Sequence, residues 1–296
     1  MMLNFKFLPK AAARQNWFGA FIIFTLTLSS LLYLVYALNL SSSELIPLTI
    51  ALSSILSNFA VIFFYNYRLW HFFGLLINKH TLPHFIYGFT LPLLLFLPIF
   101  IVLFIHGIKP VGLSIGELLK SAYIFGFFAI NEELIFRGIL FQMLVDKRGN
   151  AWGIFLSSIV FATAHLFNPN IGIVSFMNIF LAGVILGLMY IKTGLLWLSV
   201  GFHFGWNLWQ ILLLGSPTSG INSGTSIFET NITQLEPIFF GGSFGIEGGL
   251  VATILLLITA YIVSSRFVPC PEIISKMLRE KYTCKFETNH TTTSSR

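Results

Sequence analysis

Three short stretches of the chain carry residues able to do chemistry. In AINEELIFRGIL, residues 129–140, Glu132, Glu133 and Arg137 stand inside an otherwise apolar run. FATAHLF sets Phe161 and His165 one helical turn apart, and GFHFGWNLW does the same for His203 and Asn207. Helical spacing separates the jobs of the charged residues. Glu133 and Arg137 are four apart on one face, acid before base, which is the order that favours an ion pair. Glu132 is turned about 100° away from Glu133 and is left without that partner. The spacing therefore assigns Glu133 and Arg137 to a structural pair and leaves Glu132 as the working carboxylate. The competing reading is that all three charges only lock helices together, and a lone histidine in an apolar helix is often a hydrogen-bonded packing residue.

Depth brings the three stretches into one layer. Counted from the same face, Glu132 lies about 14 residues into its run, His165 about 15, and His203 and Asn207 about 10 and 14, roughly 15–22 Å at 1.5 Å per residue. A carboxylate, two imidazoles and an amide converging where water is scarce suit attack of activated water on a carbonyl. Glu132 is the candidate base, His165 a candidate to orient the water, and His203 and Asn207 candidate donors to the developing oxyanion. Ser157, Ser158, Ser175 and Ser199 lie on or near the same runs, but small hydroxyls are ordinary packing residues in membrane helices. Direct attack by water is the simpler chemistry.

The elements that must position these residues follow from composition. With 56% hydrophobic residues, 9% charged residues and 33 phenylalanines, the chain holds more apolar surface than a soluble core absorbs. Continuous runs near residues 17–38, 45–66, 85–106, 117–145, 151–168, 172–191, 195–214 and 247–265 are each about long enough to cross ~30 Å of hydrocarbon. The predicted fold is thus all-α, a polytopic transmembrane helix bundle of about eight spans; continuous runs argue against a barrel. The first run is too long for a signal-peptide core and reads as an uncleaved helix.

The charge of +6 invites a nucleic-acid reading, but the placement of the basic residues excludes it. With the N-terminus taken as cytoplasmic, all 17 Lys and Arg residues except Lys109, Lys120 and Arg137 fall on cytoplasmic segments. That asymmetry predicts both termini in the cytoplasm. Cys270 and Cys284 lie in the basic tail on the reducing side, so no disulfide is expected.

The organisation expected is three helices in 1–116, a core of helices four to seven in 117–214, an outward-facing loop over 215–246, a last helix over 247–266 and a basic cytoplasmic tail over 267–296. The loop is rich in Gly, Ser and Thr and holds no Lys or Arg, and the tail reads as disordered beyond about residue 286. No internal repeat is visible.

Glu132-Glu133-x-x-x-Arg137, Phe161-x-x-x-His165 and His203-x-x-x-Asn207, in this order on separate helices, resemble the motifs of a known family. It is the CAAX prenyl protease and bacteriocin-processing family, also called Abi or type II CAAX endopeptidase-like intramembrane proteases. The resemblance covers roughly residues 117–214. It implies that Glu132 and His165 activate the hydrolytic water, that His203 and Asn207 form the oxyanion site, and that Glu133 with Arg137 supports the architecture. Phe161 is read as packing beside the site.

The implied activity is an intramembrane endopeptidase acting on a peptide or the C-terminal segment of a membrane-associated protein, in a bacterial cytoplasmic membrane. No cofactor is favoured. A zinc ion held by Glu132, His165 and His203 with water in the fourth position is the alternative mechanism. Against zinc, the HExxH spacing is absent and Asn207 suits an oxyanion better than a metal. The other function classes are a non-catalytic immunity or scaffold protein and a proton-coupled transporter. The transporter would be expected to show broken helices in matching halves.

Overall fold

The computed structural model describes residues 17–38, 45–65, 74–75, 77, 79–105, 108–222 and 226–265. The basic N-terminal segment with Lys6, Lys10 and Arg14, Arg68, and the tail with Cys270 and Cys284 lie outside the described residues. The helices are α1 (Trp17–Ala37), α2 (Ile46–Tyr65), α3 (Thr81–Ile105), α4 (Ile115–Arg137), α5 (Ile139–Arg148), α6 (Asn150–Ala164), α7 (Ile173–Thr193), α8 (Trp197–Leu214), the single turn α9 (Pro237–Phe240) and α10 (Leu250–Ser264). The class is all-α.

Four stretches, Phe18–Ala37, Thr81–Ile105, Asn150–Phe167 and Ile173–Thr193, are long and apolar enough to cross a membrane among the described residues. They make the chain an integral membrane protein. Ile46–Val61 and Leu250–Ser264 are shorter apolar stretches. α4 carries Glu117, Lys120, Glu132, Glu133 and Arg137, and α8 carries His203, Asn207 and Gln210. The polar residues that would do chemistry are thus also those that take these two helices below the apolarity of a simple span.

The run over 117–145, expected as one helix, is two. α4 begins at a capping box in which the Glu117 amide donates to Ser114 Oγ (3.2 Å) and the Ser114 amide to Glu117 Oε2 (2.8 Å). It stops at Gly138, whose ψ of −146° leaves the helical region. A Cβ at Gly138 would run into the Leu134 carbonyl oxygen and Asn58 Oδ1. The carbonyl freed by the break is not orphaned: Asn58 Nδ2, on α2, donates to Leu134 O at 3.2 Å. Ser54, one turn earlier on α2, bonds Asn131 on α4. Side chains of α2 therefore fix α4 beside Glu132.

α3 and α8 pack with their backbones nearly touching. In lipid there is no water-driven force between helices, so small residues that let backbones approach supply the contact. A Cβ on Gly88 would meet Leu198 O, on Gly201 Phe85 O, and on Gly205 Phe89 O. Rings fill in around this seam, with Phe96 and Trp206 centroids 4.8 Å apart and Trp209 Nε1 donating to Phe89 O at 3.0 Å. His203 thus rides on the helix that α3 grips most closely.

The long loop after α8 is not open coil. Its strand β2 (Phe228–Glu229) pairs antiparallel with β1 (Lys109–Pro110), placing the α3–α4 connection and this loop at the same end of the bundle. Ile232, Phe244 and Ile246 are buried, so the loop folds back on the helices. Substituting Gly201→Ala is expected to force α3 and α8 apart at a cost of about 1–3 kcal/mol. Gly112→Ala, where a Cβ meets nothing within 4 Å, is expected to stay within about 0.5 kcal/mol of the parent. Thermal unfolding in detergent micelles checks both; equal melting points would contradict the packing account.

Candidate active site

The site is built on a buried ion pair. Arg137 Nη1 sits 3.1 Å from Glu133 Oε1, and both side chains are 0% exposed. Four-residue spacing puts them on one face of α4, and the apolar interior leaves them no alternative partner in water. Arg137 Nη2 also donates to Gly183 O on α7 (3.2 Å), and its guanidinium lies 4.5 Å from the centre of the Phe161 ring on α6. One arginine therefore ties three helices together.

Glu133 does more than balance Arg137. Its Oε1 also lies 3.0 Å from His203 Nδ1, so the same oxygen accepts from α4 and from α8. This fixes the ring of His203 and turns its Nε2 the other way, toward Glu132. Glu132 Oε2 lies 3.7 Å from His203 Nε2 and 3.8 Å from His165 Nε2. Being turned around the helix from Glu133, the Glu132 side chain is 26% exposed rather than fully buried. Its Oε2 is nonetheless buried and makes no hydrogen bond among the described residues.

His165 is aimed by its own turn of chain. α6 ends at Ala164, and a 3₁₀ turn, His165–Phe167, begins with the histidine. His165 Nδ1 lies 2.7 Å from the Phe161 carbonyl oxygen. A carbonyl only accepts, so Nδ1 carries the proton and Nε2 presents a lone pair. Facing that lone pair is a carboxylate oxygen, another acceptor, at more than hydrogen-bond distance. Two acceptors at this separation are satisfied by a donor shared between them, which a water molecule supplies. Phe161 packs its ring 4.7 Å from His165 and edge-on to His203 at 6.1 Å.

Beside the imidazoles is a cavity of ≈ 40 Å³ lined by His165, His203, Asn207, Trp206, Ser219 and Glu247, with apolar walls from Phe161, Ile179 and Leu256. At roughly 10–15 Å³ per water it has room for a few. Asn207, one turn beyond His203, opens onto the same cavity; Glu132 is not among the lining residues and meets the two imidazoles at their Nε2 atoms from α4.

The structure therefore brings Glu132, His165 and His203 together, with Asn207 on the cavity the histidines share. Sequence reasoning missed two features. The bond from His203 to Glu133 makes the supposed structural pair part of the site, and Glu247, 40 positions after Asn207, lines the cavity with a carboxylate.

 Neither feature has a local signature: His203 and Glu133 are 70 positions apart, and Glu247 opens an apolar run with no motif around it.

A tetrahedral zinc with bonds of ~2.0–2.1 Å draws its donors to about 3.4 Å of one another. The separations around Glu132 are wider, and among the described residues no group of three His, Cys, Asp or Glu side chains is arranged to hold a metal ion.

Residues 114–209 match a family model described as type II CAAX prenyl endopeptidase Rce1-like. The match runs from the cap of α4 into α8 and contains Glu132, Glu133, Arg137, Phe161, His165, His203 and Asn207, whereas Glu247 lies beyond it. No curated protein and no solved structure matches the chain. The resemblance carried by the three motifs is thereby borne out over residues 114–209, which are similar to the Rce1-like type II CAAX prenyl endopeptidases.

Proposed function

We propose that the protein is an intramembrane endopeptidase that hydrolyses a peptide bond near the membrane with water activated by Glu132. The observation that carries this reading is the placement of one carboxylate oxygen, Glu132 Oε2, against the Nε2 atoms of two histidines at 3.7 and 3.8 Å. A water held there gives its proton to Glu132 as its oxygen attacks the carbonyl carbon. His165, with Nδ1 committed to a carbonyl, accepts from that water and orients it. The carbonyl oxygen becomes an oxyanion beside His203 and Asn207. Flanked by two carboxylates, His203 holds a proton on each nitrogen, one for Glu133 and one for the oxyanion. Glu132 then returns its proton to the leaving nitrogen, the C–N bond breaks, and a carboxylic acid and an amine result.

The proposed substrate is a peptide or the C-terminal segment of a membrane-associated protein, the class to which the family description points. The proposed setting is a bacterial cytoplasmic membrane, with about eight spans and both termini cytoplasmic. Metal-independent hydrolysis is the mechanism we favour, because the HExxH spacing is absent and Asn207, an amide suited to an oxyanion, opens onto the cavity.

Three outcomes test these roles. Glu132→Gln is expected to lower turnover of a farnesylated CAAX-type peptide in proteoliposomes at least about 10³-fold with unchanged melting; full turnover would remove the peptidase reading. C-termini that stay unprocessed in both a deletion strain and a Glu132→Gln strain but are processed in the parent strain identify the natural substrate. Arg137→Met, by contrast, leaves Glu133 with only its His203 contact in an apolar interior and is expected to cost about 3–5 kcal/mol of stability, read as lost accumulation and a lowered melting point. Chelation of the purified enzyme is expected to leave the rate unchanged; stoichiometric zinc whose removal and return switch turnover off and on would overturn the metal-free mechanism.

A further inference from the structure

Glu247 belongs to none of the three motifs and lies outside the family match, yet its carboxylate lines the cavity shared by His165, His203 and Asn207. It is held by three donors. Trp206 Nε1 donates to Oε1 at 3.0 Å, and the Ser219 amide and hydroxyl donate to Oε2 at 2.7 and 2.9 Å. The backbone that presents it is fixed as well. Asn178 Nδ2, on α7, donates to the carbonyls of Glu247 and Gly249 at 2.8 and 2.9 Å, and Asn178 Oδ1 accepts from Thr253 on α10 at 2.7 Å.

Each donor to the carboxylate leads to a different arm of the site. Trp206 precedes Asn207 and sits three positions after His203 on α8. Ser219 accepts at its carbonyl oxygen from Asn168 Nδ2 (3.0 Å), and Asn168 directly follows the 3₁₀ turn that begins with His165. One side chain therefore spans the arm carrying His165 and the arm carrying His203 and Asn207. A carboxylate suits this place for a definite reason: all three groups facing it are donors, and only an acceptor at both oxygens satisfies them. Glutamine would satisfy Ser219 with its oxygen but turn an N–H toward the Trp206 N–H.

We propose that Glu247 is a positioning residue, which sets the arm of His165 against the arm of His203 and Asn207 and so fixes both relative to Glu132. Its kinetic consequence rests on the hydrolase reading above; its effect on the two arms does not. Glu133 ties α4 to α8 on one side of the histidines, and Glu247 ties α8 to the His165 turn on the other.

The test uses the full-length protein in nanodiscs and a farnesylated CAAX-type peptide. Glu247→Gln is expected to lower kcat on the order of 10- to 100-fold by misplacing the reacting groups, with KM held within about threefold. Trp206→Phe, which removes the donor and keeps the carboxylate, should lower kcat to a similar extent. If the contact works as a unit, the double variant is no slower than the slower single one. Hydrogen exchange of the amides over 165–169 and 216–220 should rise in Glu247→Gln, a readout that needs no turnover. Should the parent protein cleave no peptide, the hydrolase reading fails while the exchange measurement still decides the role of Glu247. Wild-type kcat in a folded Glu247→Gln variant, additive effects in the double variant, or unaltered exchange would each overturn the proposal. If Glu247→Gln does not accumulate, Trp206→Phe and Ser219→Ala carry the same comparison.

Discussion

The site depends on one oxygen atom. Glu133 Oε1 accepts from Arg137 on its own helix and from His203 on another, in an interior where neither donor has water to fall back on. Burying a carboxylate and a guanidinium is costly, and their mutual attraction repays the cost only when geometry is good and the remaining groups find partners. Here the arginine spends its other contacts on the Gly183 carbonyl and the Phe161 ring. The electrostatic requirement thereby becomes a geometric one: α4, α6, α7 and α8 meet where Arg137 needs them.

From that node the arrangement of the reacting groups follows. His203 is held at Nδ1, so Nε2 faces Glu132; His165 is held at Nδ1 by Phe161 O, so its Nε2 faces the same atom. Two rings supported from behind by different acceptors converge on a carboxylate whose own oxygen has no hydrogen-bond partner among the described residues. Close helix packing keeps this geometry, because the glycine seam between α3 and α8 and the side chains of α2 on α4 leave the two helices little freedom to rotate.

What the sequence makes legible is what is local. Glu133 and Arg137 are one turn apart, so their pairing can be read without knowing the fold, and the 100° offset marks Glu132 as the carboxylate facing elsewhere. Helical class and membrane character follow from the apolar runs. The break at Gly138 was not legible, since glycine is common in membrane helices and the Asn58 side chain that demands it comes from 80 positions earlier in the chain. The contact of His203 with Glu133, and the whole role of Glu247, rest on tertiary approach and leave no periodic trace. The loop over 215–246 reads as polar spacer from composition, yet it buries Ile232, Phe244 and Ile246 against the bundle end.

The most direct measurement is an experimental structure of the protein in nanodiscs at a resolution that shows ordered water. The account predicts His203 bonded to Glu133 together with Arg137, and a water within about 3 Å of Glu132 Oε2 and an imidazole Nε2. A Glu132 side chain directed into lipid, or a His203 ring turned away from Glu133, would contradict it.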